Sequence, residues 1–440
     1  MKGGNNLKEV TFERSSIHNI RIHVLPTDQF KTYAISVYLG SPLSEETVTP
    51  LALTPHVLRR GTKRYPETKK FREKLDDLYG AGFGFDVFKR GDYQVIQFRM
   101  DIIEDRYVNA SGDPLLQQAI EFLGGALTEP ALESNHFVGK YVEAEKRMVQ
   151  KKIESVINDK IRYAEERCMQ EMCKNEPYRL FPLGTIEALE SIDAVSLYDQ
   201  YVTWLKQAPI DIYVVGNTNL AEVTQYITNA IQLKRDSNPA YEMKSVKQEI
   251  KQVQTVIEKL DIKQGKLNMG LRTNITYADE LYSAMLMYNG ILGSYPHSKL
   301  FINVREKESL AYYAASRLDG HKGILAIRSG IEIENYQKAS DIIQQQLEAM
   351  RQGEISDLEL MQTQAMIANQ LREVKDSAFE MISFDYNSIL SGVERSVNGL
   401  IDALSHVDRK QITEVAHKVQ LDTIYFLRDQ KGGNDGRHQL

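Results

Sequence analysis

The stretch that decides the fold is read twice: "REKLDDLYGAGFGFDVFKRGDYQVIQF" at residues 72–98 and "REKESLAYYAASRLDGHKGILAIRSGI" at residues 305–331. Both begin with Arg-Glu-Lys. Both then run through a short helix end, a strand, a basic glycine turn and a second strand. Alternating apolar and polar residues around a Gly-Asp or Lys-Gly turn predict a hairpin in each copy. The copies differ in residue type at most positions, so the shared order carries the signal.

The repeat extends outward. "FKTYAISVYLGSP" (residues 30–42) precedes the first hairpin, and "IKQGKLNMGLRTN" (residues 262–274) precedes the second. "IDAVSLYDQYVTWLKQAPIDIYVVGN" (192–217) is mirrored by "VDRKQITEVAHKVQLDTIYFLRD" (407–429), each a helix followed by a buried strand. An offset of roughly 210–235 residues is too long for a solenoid and suits a duplicated domain. Strands joined by hairpins and long helices predict an α+β fold, each half an antiparallel-rich sheet packed with helices. The expected division is 1–233, a charged linker at 234–255, and 256–440. From Ser134 to about Lys174 the pattern predicts one long charged helix.

Composition narrows the function. The chain has 440 residues and a net charge of −6, so no basic excess exists to neutralise nucleic-acid phosphates. The start, "MKGGNNLKEVTFERSS", lacks the apolar core of a secretory signal. No apolar run reaches the ~18 residues a membrane span needs. Two cysteines, Cys168 and Cys173, cannot staple a chain of this length and fit a reducing cytoplasm.

A second stretch, "LALTPHVLRRGTKRYP" (residues 51–66), carries the chemistry, or its remains. With "PYRLFPLGTIEALESI" and "LFINVREKESLAYYAAS", in that order and spacing, it resembles the M16 (pitrilysin-like) zinc peptidases of the processing-peptidase branch. The resemblance covers nearly the whole chain. It implies two homologous M16-type (LuxS/MPP-like) halves, and pairs of such chains closing around a peptide chamber. The branch's zinc motif is His-x-x-Glu-His on a helix, then Gly-Thr. Histidines at i and i+4 share one helix face and reach one zinc, the Glu activates the zinc-bound water, and a distant Glu is the third ligand.

Counting back from Gly61-Thr62, the resemblance places the two histidines at Ala52 and His56 and the general base at Pro55. The distant Glu pair of the family aligns with Lys151 and Lys152 in "EAEKRMVQKKIESV". One ligand remains, the base is gone, and an ammonium stands where a carboxylate should. No metal is expected in this chain. His56 reads on its own as a hydrogen-bonded helix residue. Thr54-Pro55 also reads as an N-cap followed by a first helical residue, which predicts a helix beginning at Pro55.

The family also brings an Arg and a Tyr from the C-terminal half to the zinc site, where they bind substrate carbonyls and the oxyanion. The matching residues are Arg305 and Tyr312 in "REKESLAY". A planar guanidinium and a phenol suit that task. The other reading makes Arg305 a surface ion-pair partner and Tyr312 a core residue. Tyr312 and Tyr313 on a strand face opposite ways, and the match favours Tyr312 as the one that enters the chamber.

The resemblance therefore implies a zinc-less subunit that pairs with a zinc-bearing homologue, binds peptides, and supplies Arg305 and Tyr312 in trans. The alternative is a structural or peptide-binding homodimer with no proteolytic role. The glycine-rich loop of the mitochondrial enzyme's non-catalytic subunit is not matched at "NGILGSYPHSKLF". The overall likeness is greater to zinc-less Gram-positive bacterial members associated with a modification of elongation factor P.

Overall fold

The computed structural model describes residues 11–109, 112–235, 237–243 and 250–430. Most of the N-terminal segment read for a signal, and residues 236 and 244–249 of the expected linker, lie outside the described residues. The chain divides into two compact units. Unit 1 comprises residues 1–153, 180–242 and 374–396; unit 2 comprises 154–179, 243–373 and 397–440. Each unit is built mainly from one half of the sequence and takes one segment from the other.

The strands of unit 1 are β1 (Glu13–Ile17), β2 (Ile20–Pro26), β3 (Thr32–Pro42), β4 (Gly82–Arg90), β5 (Tyr93–Ile103) and β6 (Ile210–Gly216). Those of unit 2 are β7 (Gln254–Lys259), β8 (Gly265–Arg272), β9 (Ala311–Asp319), β10 (Ile324–Ile331) and β11 (Gln420–Arg428). The sheet orders are β1-β2-β6-β3-β5-β4 and β9-β10-β8-β11-β7. In each, a hairpin at one edge (β4–β5, β9–β10) pairs antiparallel with a central strand, which pairs antiparallel with the last strand of its half. That strand pairs parallel with the first (β6 with β2, β11 with β7). The two halves thus share one topology, and unit 1 adds β1 at an edge. The twofold hairpin in the sequence is a twofold domain in the fold.

Four helices carry the functional argument: α1 (Glu45–Leu58), α2 (Gly139–Ser155), α3 (Lys160–Met172) and α4 (Ala378–Ser391). The long charged helix expected after Ser134 is broken in two. A 3₁₀ turn at Val156–Asn158 ends α2, and the Asp159 carboxylate accepts from the Arg162 amide to cap α3. α2 up to Ile153 belongs to unit 1, and α3 belongs to unit 2.

Each sheet has one apolar and one polar face. In unit 1, Ile35, Val37 and Leu39 of β3 enter a core with Phe98, Met100 and the helix residues Leu123 and Leu197. The alternate positions Ser36 and Tyr38 face the other way, where Gln97 donates to both. α4 lies on this second face. Tyr386 stacks on Tyr38 with centroids 3.8 Å apart, and Arg14 grips Asp385 at 2.8 and 2.9 Å. In unit 2 the corresponding face of β8 carries Lys266, Asn268, Gly270 and Arg272, and α3 lies on part of it. Gly270 lets α3 approach closely, since a Cβ would stand 2.6 Å from Met172 Sδ and the methionine would have to shift. Arg272 pairs with Glu176 at 2.5 Å just beyond α3.

Candidate functional site

α1 begins earlier than Thr54-Pro55 suggests. The Ser44 hydroxyl accepts from the Thr47 amide, Glu45 and Glu46 occupy the first turn, and the helix continues through Pro50 and Pro55 to Leu58. Each proline removes one backbone donor. The Thr54 hydroxyl donates to the Pro50 carbonyl at 2.8 Å instead of capping a new helix. The turn that would carry a first histidine is therefore present, and Ala52 occupies it, fully buried. Pro55, at the general-base position, is also buried and brings neither a proton acceptor nor an N–H.

His56 is 1% exposed and its Nδ1 lies 3.3 Å from Glu145 Oε2 on α2. Its ring meets Phe85 of β4 edge-on, with centroids 4.7 Å apart. Glu145 is 0% exposed and is the hub of the cluster. Arg60 holds Oε1 at 2.5 Å, and Arg59 stands 3.8 Å from Oε2 while its guanidinium lies 5.5 Å from the Phe85 ring centre. Burial alone would raise the Glu145 carboxyl, but His56, Arg60 and Arg59 hold it below the usual range. Burial pushes the His56 imidazole down; Glu145 opposes this, and the Lys152 and Arg59 charges add to it. The Lys152 ammonium is itself lowered, by partial desolvation and then by Arg59, against the pull of Glu145 and Asp86.

The sequence match and the geometry thus converge. Ala52, Pro55, His56 and Lys152 come from two helices of one unit to one place, with Lys152 close enough to act on His56. Lys151 and Lys152 are both exposed, and of the two only Lys152 acts on His56. The residues present do not fit zinc. The carboxylate nearest His56 is engaged by two arginines, and three cations surround the position a dication would need. Among the described residues no group of three or more His, Cys, Asp or Glu could hold a metal ion. Glu145 was not singled out from the sequence, because a Glu within "EAEKRMVQKK" looks like part of a solvated helix face. The signal available was its position about two helical turns before Lys152, on the same face.

Arg305 and Tyr312 lie in unit 2. Arg305 sits in a π-helical turn, Phe301–Lys307, with its guanidinium 4.7 Å from the Phe301 ring centre. Its side chain is 43% exposed, and Glu306 is 3.9 Å away. Tyr312 is 59% exposed at a register shift where β9 leaves step with β10. Its hydroxyl donates to Glu332, which raises the phenol above its usual range. Tyr313 points to the opposite face and is half-buried.

Two like-ordered sheets, with a lone histidine on one helix facing a glutamate on another, define a zinc-peptidase scaffold without a zinc ligand set. The profile of the family described as peptidase M16 inactive domain matches residues 191–367. The chain is 39% identical to the probable inactive metalloprotease YmfF of Bacillus subtilis (strain 168), over 96% of this chain and 98% of that protein. It is 22% identical to the uncharacterized zinc protease YmxG of the same organism, over 91% of this chain and 94% of that one. A crystal structure of a conserved protein from Enterococcus faecalis V583 superposes with a TM-score of 0.86 at 30% identity, covering 96% of this chain and all of that one. The chain belongs to the M16 peptidase family, and its kinship within it is with a member named as inactive. No helix of the described residues is long and apolar enough to cross a membrane.

Proposed function

We propose that this chain is a non-catalytic M16 subunit that pairs in the cytoplasm with a zinc-bearing homologue, binds peptides, and supplies Arg305 and Tyr312 to the partner's zinc site. The observation that carries this reading is that neither side chain is core. Both are exposed on an irregular part of unit 2, a π-turn and a strand bulge, where a substrate carbonyl can reach them. Bacillus subtilis has both a relative named as inactive and a relative named as a zinc protease, which supports a paired arrangement.

A second reading, a peptide-binding homodimer with no proteolytic role, is favoured by β4. This strand ends its sheet, with one backbone edge unpaired by another strand, and it carries half-buried Phe83 and Phe85. An extended peptide can add to such an edge. Co-expression with a zinc-motif homologue from the same genome, followed by peptide-cleavage assays of each chain and of the mixture, separates the readings. The first expects cleavage by the mixture to exceed that of the homologue alone, and Tyr312→Phe to slow it by about 10²-fold, the usual effect of losing an oxyanion donor. Tyr107→Phe, at another exposed tyrosine, is the control. No co-purification and no change in rate would leave the homodimer.

A further inference from the structure

The polar face of the unit 2 sheet contains a cluster of donors that the zinc-site comparison does not account for. Lys266 and Asn268 are neighbours on one face of β8. Across β10 their partners are Gly330 and Arg328, and across β9 the next positions are Tyr313 and Ala315. The Tyr313 ring lies over Gly330, where a Cβ would stand 2.5 Å from Cε1, and reaches to 5.8 Å from Lys266 Nζ. Lys266, Asn268, Tyr313 and Arg328 therefore share one patch of sheet.

These four groups are short of acceptors. Asn268 is 2% exposed, and neither its amide nitrogen nor its oxygen has a hydrogen-bond partner among the described residues. The Tyr313 hydroxyl and Arg328 Nε are buried atoms without one. Lys266 is 6% exposed, donates to Gln264, and has no carboxylate partner among the described residues; burial lowers its ammonium unopposed. A buried amide, phenol and guanidinium Nε without partners, beside a buried ammonium without a counter-ion, destabilise the empty site, so their gathering in one place calls for a ligand.

Charge sets its class. The ionisable groups beside Tyr313 are the cations Lys266, Arg328 and Arg317 and the carboxylates Glu165 and Asp159. Glu165 lies 3.0 Å from Arg328 and 3.7 Å from Arg317. Both carboxylates act on Tyr313. Glu258, in register with Lys266 through Leu427 of β11, is held by Arg167, Tyr163 and Tyr425, so Lys266 alone of these cations has no carboxylate partner among the described residues. We propose that Lys266, Asn268, Tyr313 and Arg328 form a binding site for a single carboxylate, such as the C-terminus of a peptide. The Lys266 ammonium and Arg328 Nε would hold the oxygens, the Asn268 amide and Tyr313 hydroxyl would complete the shell, and the partly exposed Arg328 and Arg317 would mark the entrance. A dianionic phosphate fits less well, because Glu165 stands beside the entrance. The site lies within unit 2 and does not depend on pairing with a zinc-bearing homologue.

Titration calorimetry on the full chain tests this with three probes: acetyl-trialanine with a free carboxylate, its C-terminal amide, and acetate. The free acid should bind at least tenfold more tightly than the amide, the scale of one charge-assisted contact. Lys266→Met should weaken the acid at least tenfold. Asn268→Leu should abolish the preference for acid over amide while raising the unfolding temperature, since an orphan amide is removed. Acetate matching the peptide would identify a small carboxylate as the occupant; acetate much weaker would identify a peptide terminus. Either keeps the site. Equal binding of acid and amide, no binding at millimolar concentration, or full binding by folded Lys266→Met would overturn it and leave a hydrated polar patch.

Discussion

The buried His56 imidazole and the buried Glu145 carboxylate face each other at 3.3 Å, His56 on α1 and Glu145 on α2. The pair joins α1 to α2, with Arg60 completing the tie at 2.5 Å. The cluster is a fastening between two helices.

Glu145→Ala should therefore destabilise unit 1 by about 3–5 kcal/mol, the cost of leaving buried and half-buried partners uncompensated. Denaturant unfolding measures it. Glu145→Gln, which keeps the shape, should cost less. The pH dependence follows from the two depressed groups. His56 binds its proton less readily in the fold than the ordinary value near 6.5, so stability from this group is full above that value and falls as the solution is acidified below it. Glu145 is held below 4.5, so its share is lost at lower pH, from 4.5 downward. His56→Gln should remove the upper window and leave the lower one. An acid-unfolding curve unchanged above pH 5 by that substitution would sink the assignment.

Metal affinity offers a second test. The purified chain should hold no stoichiometric zinc, because the one carboxylate beside His56, Glu145, is already engaged by Arg59 and Arg60, with the Lys152 charge close by. Ala52→His with Lys152→Glu should create a site for about one zinc per chain, measured by elemental analysis after dialysis. Adding Pro55→Glu would supply the general base. The double variant remaining metal-free while folded would mean that Arg59 and Arg60 alone suffice to exclude a dication.

A third prediction concerns the segment that unit 1 takes from the far end of the sequence. Asp385 of α4 accepts two bonds from Arg14 and one from the Tyr213 hydroxyl at 2.8 Å. Asp385→Ala should cost about 3 kcal/mol and speed amide hydrogen exchange across Ala378–Ser391 more than in β3. Uniform exchange through unit 1 would show instead that α4 is held by Tyr386 stacking alone.

These relationships divide by how far apart their partners lie in sequence. The hairpins at 82–103 and 311–331 were legible, since alternation and a glycine turn are local signals. The nearness of His56 to Lys152 was suggested only by the family resemblance, since 96 residues separate them and no local pattern links them. The partnership of Arg14 with Asp385 was not legible, since 371 residues separate them and neither stands out from a charged surface. The start of α1 was misread because Thr54-Pro55 is a good local cap, whereas the capping by Ser44 and the Thr54 bond to Pro50 keep one helix through two prolines. Glu145 and the donors around Lys266 were hidden for a related reason. Charged residues are read as solvated until packing shows otherwise.

The last prediction addresses why "RRGT" persists in a chain without the ligands. Gly61 needs no special φ; its constraint is space. A Cβ there would lie 2.6 Å from the Pro66 carbonyl oxygen and 2.8 Å from that of Tyr65, both backbone atoms that cannot swing aside. The close approach is set by Thr62, whose amide donates to the Tyr65 carbonyl at 2.9 Å and whose hydroxyl accepts from the Tyr65 amide at 3.0 Å. The Ala131 amide in turn donates to the Gly61 carbonyl at 3.0 Å, tying the turn to the end of the helix Leu115–Thr128. Gly61→Ala should thus destabilise unit 1 by about 1–3 kcal/mol through overpacking against backbone, although Gly61 touches no metal and no substrate. Thr62→Val, isosteric but without the hydroxyl, should cost about 1 kcal/mol. Gly80→Ala is the contrasting control. Gly80 has φ +72° and nothing within 4 Å of an added Cβ, so its cost should be the smaller one of backbone strain alone. Equal stability of Gly61→Ala and wild type in denaturant unfolding would break the link between motif and turn, and the frame would then need a functional explanation.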